Sequence, residues 1–142
     1  MLTGQVRRDD EDDVRRIRAA TVAAMRAAHV HILRGTDVSP SRISFPGFSL
    51  HDELNLRVRQ GLSTEEALET VTRNPAVFFG SLNDSGTVER GKLADLVLLD
   101  ANPLTDIRNV GKIHAVVLNG TLLDRAKLDQ LLAQVETAVK GQ

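Results

Sequence analysis

The stretch Val30-His31-Ile32-Leu33-Arg34-Gly35-Thr36-Asp37 limits what this chain can fold into more than any other. Four residues suited to a buried strand run into a glycine, a small hydroxyl residue and one acid, the order in which a parallel strand delivers a carboxylate to the rim of a site. Taken alone, a carboxylate after an apolar run is more often a turn or helix-cap residue, because Asp readily binds nearby backbone amides. The role of Asp37 therefore rests on what surrounds it.

Helical periodicity precedes the stretch. Val14, Ile17, Thr21, Ala24 and Ala28 recur at helical spacing behind the acids Asp9, Asp10, Asp12 and Asp13, which predicts a helix over about 10–28. Its alanines suit close packing on a sheet, and Arg15, Arg16, Arg18 and Arg26 read as a solvated outer face. His29 and His31 form a His-x-His pair, a spacing that commonly holds zinc on one face of a strand. If Val30–Gly35 is the strand, however, His31 opens it and Asp37 lies past its end, six residues or roughly 20 Å away at ~3.3 Å each. The pair is therefore read as structural, with no share in a site with Asp37.

Downstream, a Ser-, Pro- and Gly-rich loop over 38–47 is long enough to rim a pocket. Ser49 and Asp52 have the spacing of a capping box for a helix over 50–60, closed by Gly61. His51 lies in that first turn and reads either as a surface residue or as a substrate contact facing Asp37. Ser63-Thr64-Glu65-Glu66 is a second capping box; the helix it opens should end near Asn74-Pro75, with a short helix over 75–79 closed by Gly80. Helix, strand, loop and three helices make the closing part of an α/β unit.

The pattern then becomes antiparallel. Gly86–Val88 and Ala94–Leu99 are β-prone runs around the turn Arg90-Gly91-Lys92, and His114–Leu118 is joined to Thr121–Leu123 through the hairpin pair Asn119-Gly120. Leu128, Leu131, Leu132, Val135 and Val139 mark an amphipathic terminal helix stopped by Gly141. The expected divisions are 1–83, 84–123 and 124–142.

Composition narrows the partners. The chain has 142 residues, one domain's length, and balances 18 Lys and Arg against 19 Asp and Glu. With no basic block and no Trp or Tyr, nucleic acid is not an expected partner. There is no Cys, so any metal must be held by His and carboxylates. No apolar run is long enough to span a bilayer, and the mixed-charge N-terminus has no signal-like core, which reads as cytoplasmic without a membrane partner.

In order, Gly35-Thr36-Asp37, Pro46-Gly47-Phe48-Ser49-Leu50-His51-Asp52-Glu53-Leu54, Gly61–Leu68, Asn74-Pro75-Ala76 and Gly86–Asp100 resemble the C-terminal part of amidohydrolase-superfamily enzymes of the imidazolonepropionase-like branch. The resemblance runs over about 20–135. It implies an α/β fold: the terminal part of a (β/α)8 barrel, then a small antiparallel β-sandwich segment and a C-terminal helix. It also implies a metal-dependent hydrolase of C–N bonds in a small cyclic amide, ureide or dipeptide-like substrate. Asp37, at the end of the eighth strand, would bind a divalent metal, usually zinc, and take the proton from the water that the metal activates. The family's other metal ligands would precede residue 1. The chain is thus expected to be the last third of an enzyme, inactive alone, and either homo-oligomeric or associated with a missing N-terminal part. A second reading is a non-catalytic scaffold or interaction module derived from that terminus. Replacing both His29 and His31 with Gln should leave any metal binding at Asp37 unchanged, as measured by calorimetric titration with zinc.

Overall fold

The computed structural model describes residues 3–36 and 47–140. By its internal contacts the chain divides into two compact units, Met1–Asn74 and Pro75–Gln142.

The first unit is helical. Helix α1 (Thr3–Ala27) begins six residues before the first of the acids that were expected to open it, so Asp12 and Asp13 lie within the helix and pair with Arg15 and Arg16 one turn on. Such exposed pairs are each worth only a few tenths of a kcal/mol. The face expected to pack is instead exposed, from Val14 and Ile17 through Thr21, Ala24 and Ala28, and among the described side chains of this helix Val22 is the buried one. The helix stops in a Schellman motif, with His29 N–H donating to Arg26 O and Val30 N–H to Met25 O, each at 3.0 Å. His29 therefore takes the left-handed position, φ 53°, that glycine usually fills. Its role is that of a helix stop, and its side chain is exposed.

Helix α2 (Phe48–Arg59) also starts earlier than the capping box predicts. Gly47, at φ 83°, is its N-cap and makes no side-chain cap bond, which moves Ser49 and Asp52 inside the first turns. Gly61 closes it as expected, at φ 103°, in a second Schellman motif formed with Leu62. Helix α3 (Thr64–Glu69) has the predicted capping box in full: Ser63 Oγ accepts from Glu66 N–H at 3.1 Å, and Glu66 Oε2 accepts from Ser63 N–H at 2.7 Å. Helix α3 ends at Glu69, five residues before the predicted stop, and α4 (Arg73–Phe78) carries Pro75 in its first turn, where a missing N–H costs nothing.

Residues 30–36 run without helix, turn, bend or ladder. The predicted strand over Val30–Gly35 is therefore extended but unpaired, because the described residues place no neighbouring strand beside it. Val30 and Leu33 remain 48% and 37% exposed.

The second unit is a three-stranded antiparallel sheet, β1 (Leu96–Leu99), β2 (Ile113–Leu118) and β3 (Thr121–Leu123), in the order β1-β2-β3. Asn119 and Gly120, at φ 50° and 76°, form the two-residue turn joining β2 to β3, as their sequence demands. Asp95 Oδ1 accepts from Asn119 N–H at 2.6 Å and fixes that turn to the start of β1. A 3-10 helix (Ile107–Gly111) contributes the buried Ile107 and Val110, and Asp106 caps it while Arg108 grips the same carboxylate. That grip, with the Arg108 backbone N–H, lowers the Asp106 carboxyl to about 2.

Gly86–Val88 is not a strand. Lys92 Nζ reaches Leu82 O at 2.7 Å, Thr87 Oγ1 and Glu89 Oε1, and these bonds hold the chain as a closed loop before β1. Helix α5 (Arg125–Lys140) is capped by Asp124, whose Oδ1 accepts from Lys127 N–H at 2.8 Å. Its predicted apolar stripe is mostly open, with Leu131, Leu132, Val135 and Val139 all exposed.

Glu66 links this architecture to pH. Its carboxylate accepts the Ser63 N–H and the Arg26 side chain at 2.6 Å, and both hold it below its usual 4.5, the Ser63 bond most strongly. A carboxylate depressed on folding contributes stability above its unfolded value and loses it as pH falls through the folded one. Glu66→Gln should therefore lower the urea midpoint at neutral pH and lose less on acidification below 4.5 than the parent chain does.

Candidate functional site

The segment that ends in Gly35-Thr36 is held by the helices after it. Arg34 N–H donates to Thr70 O at 3.2 Å, and Asn74 Nδ2 donates to Ile32 O at 3.1 Å. Both partners are buried, Thr70 to 2% and Asn74 to 7% exposure. Thr70 is itself fixed by its hydroxyl, which donates to Ala67 O at 2.6 Å. Each bond contributes about 1 kcal/mol net, and each leaves a costly orphan if one partner is removed. Asn74 thus does more than mark the residue before a proline: its amide is a backbone anchor for the segment.

The side chain of Arg34 turns to α2, where it pairs with Glu53. Only 11% of that side chain is exposed, and burial first, then the nearby Arg57, lower its guanidinium to about 10, still protonated at neutral pH. Arg57 is lowered by burial and by Arg18, and its Nη1 donates to Gln60 Oε1. Glu53 is thus the carboxylate partner of Arg34, whose guanidinium also feels the positive charge of Arg57. Sequence reading missed the pair because its members lie nineteen residues apart on different elements. The available signal was an arginine inside an otherwise apolar run.

Of the sequence-predicted site residues, Asp37 lies outside the described residues, as does the loop over 38–46. His51 sits in the first turn of α2, half-buried, on the helix that carries Glu53. His31 is exposed and lines a cavity of about 130 Å³ with Arg26, Glu66, Glu69, Arg73 and Asn74. That cavity lies by the start of the segment, at the end away from Gly35-Thr36. Among the described residues no three His, Asp or Glu side chains are grouped to hold a metal ion, so these residues do not by themselves fit a metal centre. Likewise, no described helix is long and apolar enough to cross a membrane.

The Arg34–Glu53 pair sets a measurable expectation. Removing the Glu53 charge leaves the buried Arg34 guanidinium without its partner, so Glu53→Gln should cost about 3 kcal/mol. Replacing Arg34 and Glu53 together with Met and Leu should cost clearly less, and denaturant unfolding of both variants provides the comparison.

Comparison with known proteins places these elements. The Amidohydrolase family profile matches residues 7–123. The chain is 37% identical over 103 residues to an imidazolonepropionase of Maricaulis maris, covering 70% of this chain and 25% of that protein. It is 35% identical over 135 residues to the imidazolonepropionase of Shouchella clausii, covering 86% of this chain and 29% of that one. Among solved structures, a Xaa-Pro dipeptidase with methionine bound in its active site superposes with a TM-score of 0.65 at 26% identity, over 75% of this chain and 25% of the other. The chain thus matches between a quarter and a third of the length of these two curated relatives. A profile match over most of its residues, with similar relatives and a shared fold, shows that the chain belongs to the Amidohydrolase family.

Proposed function

We propose that this chain supplies the C-terminal part of a metal-dependent amidohydrolase that cleaves a C–N bond in a small cyclic amide, ureide or dipeptide-like substrate. The family match over 7–123 carries the reading. It is supported by the relatives, which are named imidazolonepropionases, and by the neighbour named a Xaa-Pro dipeptidase.

In this reading residues 30–36 form the last strand of a (β/α)8 barrel, and Asp37 just beyond it serves as metal ligand and proton acceptor. A divalent metal of this kind, zinc in our proposal, makes water acidic enough to ionise near neutral pH. Asp37 would take up that proton as the water attacks the carbonyl carbon and pass it to the leaving nitrogen. The Thr70 and Asn74 bonds and the Arg34–Glu53 pair would fix the strand from which Asp37 projects. His51, at the start of the next helix, would contact the substrate.

One carboxylate does not make a catalytic zinc site, which takes three protein ligands and an open position. The 142-residue chain with added zinc should therefore show no hydrolysis of imidazolone, cyclic ureide or prolyl-dipeptide substrates. Grafting it in place of the matching C-terminal part of the Maricaulis maris imidazolonepropionase should give metal-dependent turnover that Asp37→Asn lowers by about a thousandfold or more. A graft that folds and turns over equally well with Asn at that position would overturn the assignment.

A further inference from the structure

Of the asparagines in the chain, Asn119 alone precedes a glycine. The backbone nitrogen that follows an asparagine can attack its side-chain amide carbon, and glycine, with no Cβ, hinders that approach least. Asn74 and Asn102 precede prolines, whose nitrogen has no hydrogen to give up, and the remaining three precede Leu56, Asp84 and Val110, whose side chains stand in the way. In the folded chain the Gly120 nitrogen is committed elsewhere. Its N–H donates to Ala94 O at 3.1 Å, and Asn119 N–H donates to Asp95 Oδ1 at 2.6 Å. Two adjacent residues at the entry to β1 thus clip two successive peptide groups of the turn. All four residues belong to the second unit, Pro75–Gln142, so the arrangement is complete within that unit.

We propose that Asn119 is a site of spontaneous deamidation that the bonds from Ala94 and Asp95 hold shut. When the turn opens, the Gly120 nitrogen gives its proton to a base in solution and bonds to Asn119 Cγ, and the side-chain nitrogen leaves as ammonia. Water then opens the cyclic imide at one carbonyl or the other, leaving aspartate or isoaspartate. The sum is amide and water giving acid and ammonia, with nothing oxidised or reduced. Asp95 opposes the reaction in two ways: its carboxylate holds the Asn119 N–H, and its charge disfavours the negative charge that the Gly120 nitrogen takes up. Asn119 and Gly120 are exposed, so base and water reach them once the bonds part. Neither product suits the closed turn. Isoaspartate adds a carbon to the backbone of a two-residue turn whose length sets Leu118 against Thr121, and aspartate brings a second carboxylate to the turn that Asp95 clips. Conversion therefore loosens β3, and with the ammonia lost the turn does not recover.

The test is to incubate the purified 142-residue chain in mildly alkaline buffer and follow amide-to-acid conversion at each asparagine by peptide mass mapping. In urea Asn119 should convert first, and about tenfold or more faster than in the folded chain, where the reaction waits on local opening. Asp95→Ala should speed the folded reaction by about fivefold, the worth of one hydrogen bond, with circular dichroism unchanged. Asp95→Asn, which keeps an acceptor but not the charge, should fall between the two and carries the comparison if Asp95→Ala does not fold. Across these variants the exchange rate of the Gly120 amide should rise in step with conversion. Asp106→Ala removes the cap of the 3-10 helix in the same unit without touching the turn, and it should leave the rate unchanged. The proposal is overturned by equal rates in urea and in the folded chain, by another asparagine converting first in urea, by a folded rate indifferent to both Asp95 variants, or by one raised as much by Asp106→Ala.

Discussion

An extended segment outside a sheet has to find partners for its backbone, since buried N–H and C=O groups without them cost free energy. Here residues 30–36 find them in the short helices that follow, through Thr70 O and Asn74 Nδ2. The interruption between α3 and α4 makes this possible. A continuous helix through this region would commit the Thr70 carbonyl to the amide four residues on. With α3 ending at Glu69 and α4 beginning at Arg73, that carbonyl is available to Arg34. A break that reads in sequence only as the effect of Pro75 is thus what lets two helices hold a strand.

The Arg34–Glu53 pair adds a charge constraint to that backbone constraint. A partly buried ion pair is weak evidence of net stability, because desolvation offsets much of the attraction. An alternative packing that separates the partners would leave a charge in a poor solvent, which disfavours that packing. The pair ties α2 to residues 30–36 through Glu53, and the charge of nearby Arg57 makes a carboxylate beside Arg34 the more necessary.

What was legible in the sequence was local. The Ser63–Glu66 box, the helix stops at Gly61 and Gly80 and the Asn119-Gly120 turn each depend on residues a few positions apart, and each stands where the sequence put it. What was illegible was long-range. Asn74 to Ile32 spans forty-two residues, and no local pattern distinguishes an anchoring Asn from one that merely precedes proline. Gly86–Val88 has β propensity, but Lys92 draws the chain into a loop, an outcome set by one side chain's three acceptors. The stripe Val14–Ala28 has helical period yet lies open, while Val22 is buried, because periodicity finds an apolar face without naming its partner. The candidate site was legible as an order of motifs; of its two named residues, His51 has its expected place in the first turn of a helix, and Asp37 falls outside the described residues.

These bonds set a condition on the proposed enzyme. In a closed barrel every strand is paired along both edges. Ile32 O and Arg34 N–H lie on the edge where Asn74 and Thr70 stand, so the segment cannot keep both bonds and accept a neighbour there. Incorporation between two strands must exchange the helix-borne bonds for ladder bonds, roughly one for one, with little net gain per bond. The driving force for that exchange has to come from burial of Val30 and Leu33 and of the open apolar face of α1. Helix-borne partners thus keep one edge satisfied while no strand is present, and they compete with a strand only where its apolar contacts can outweigh them.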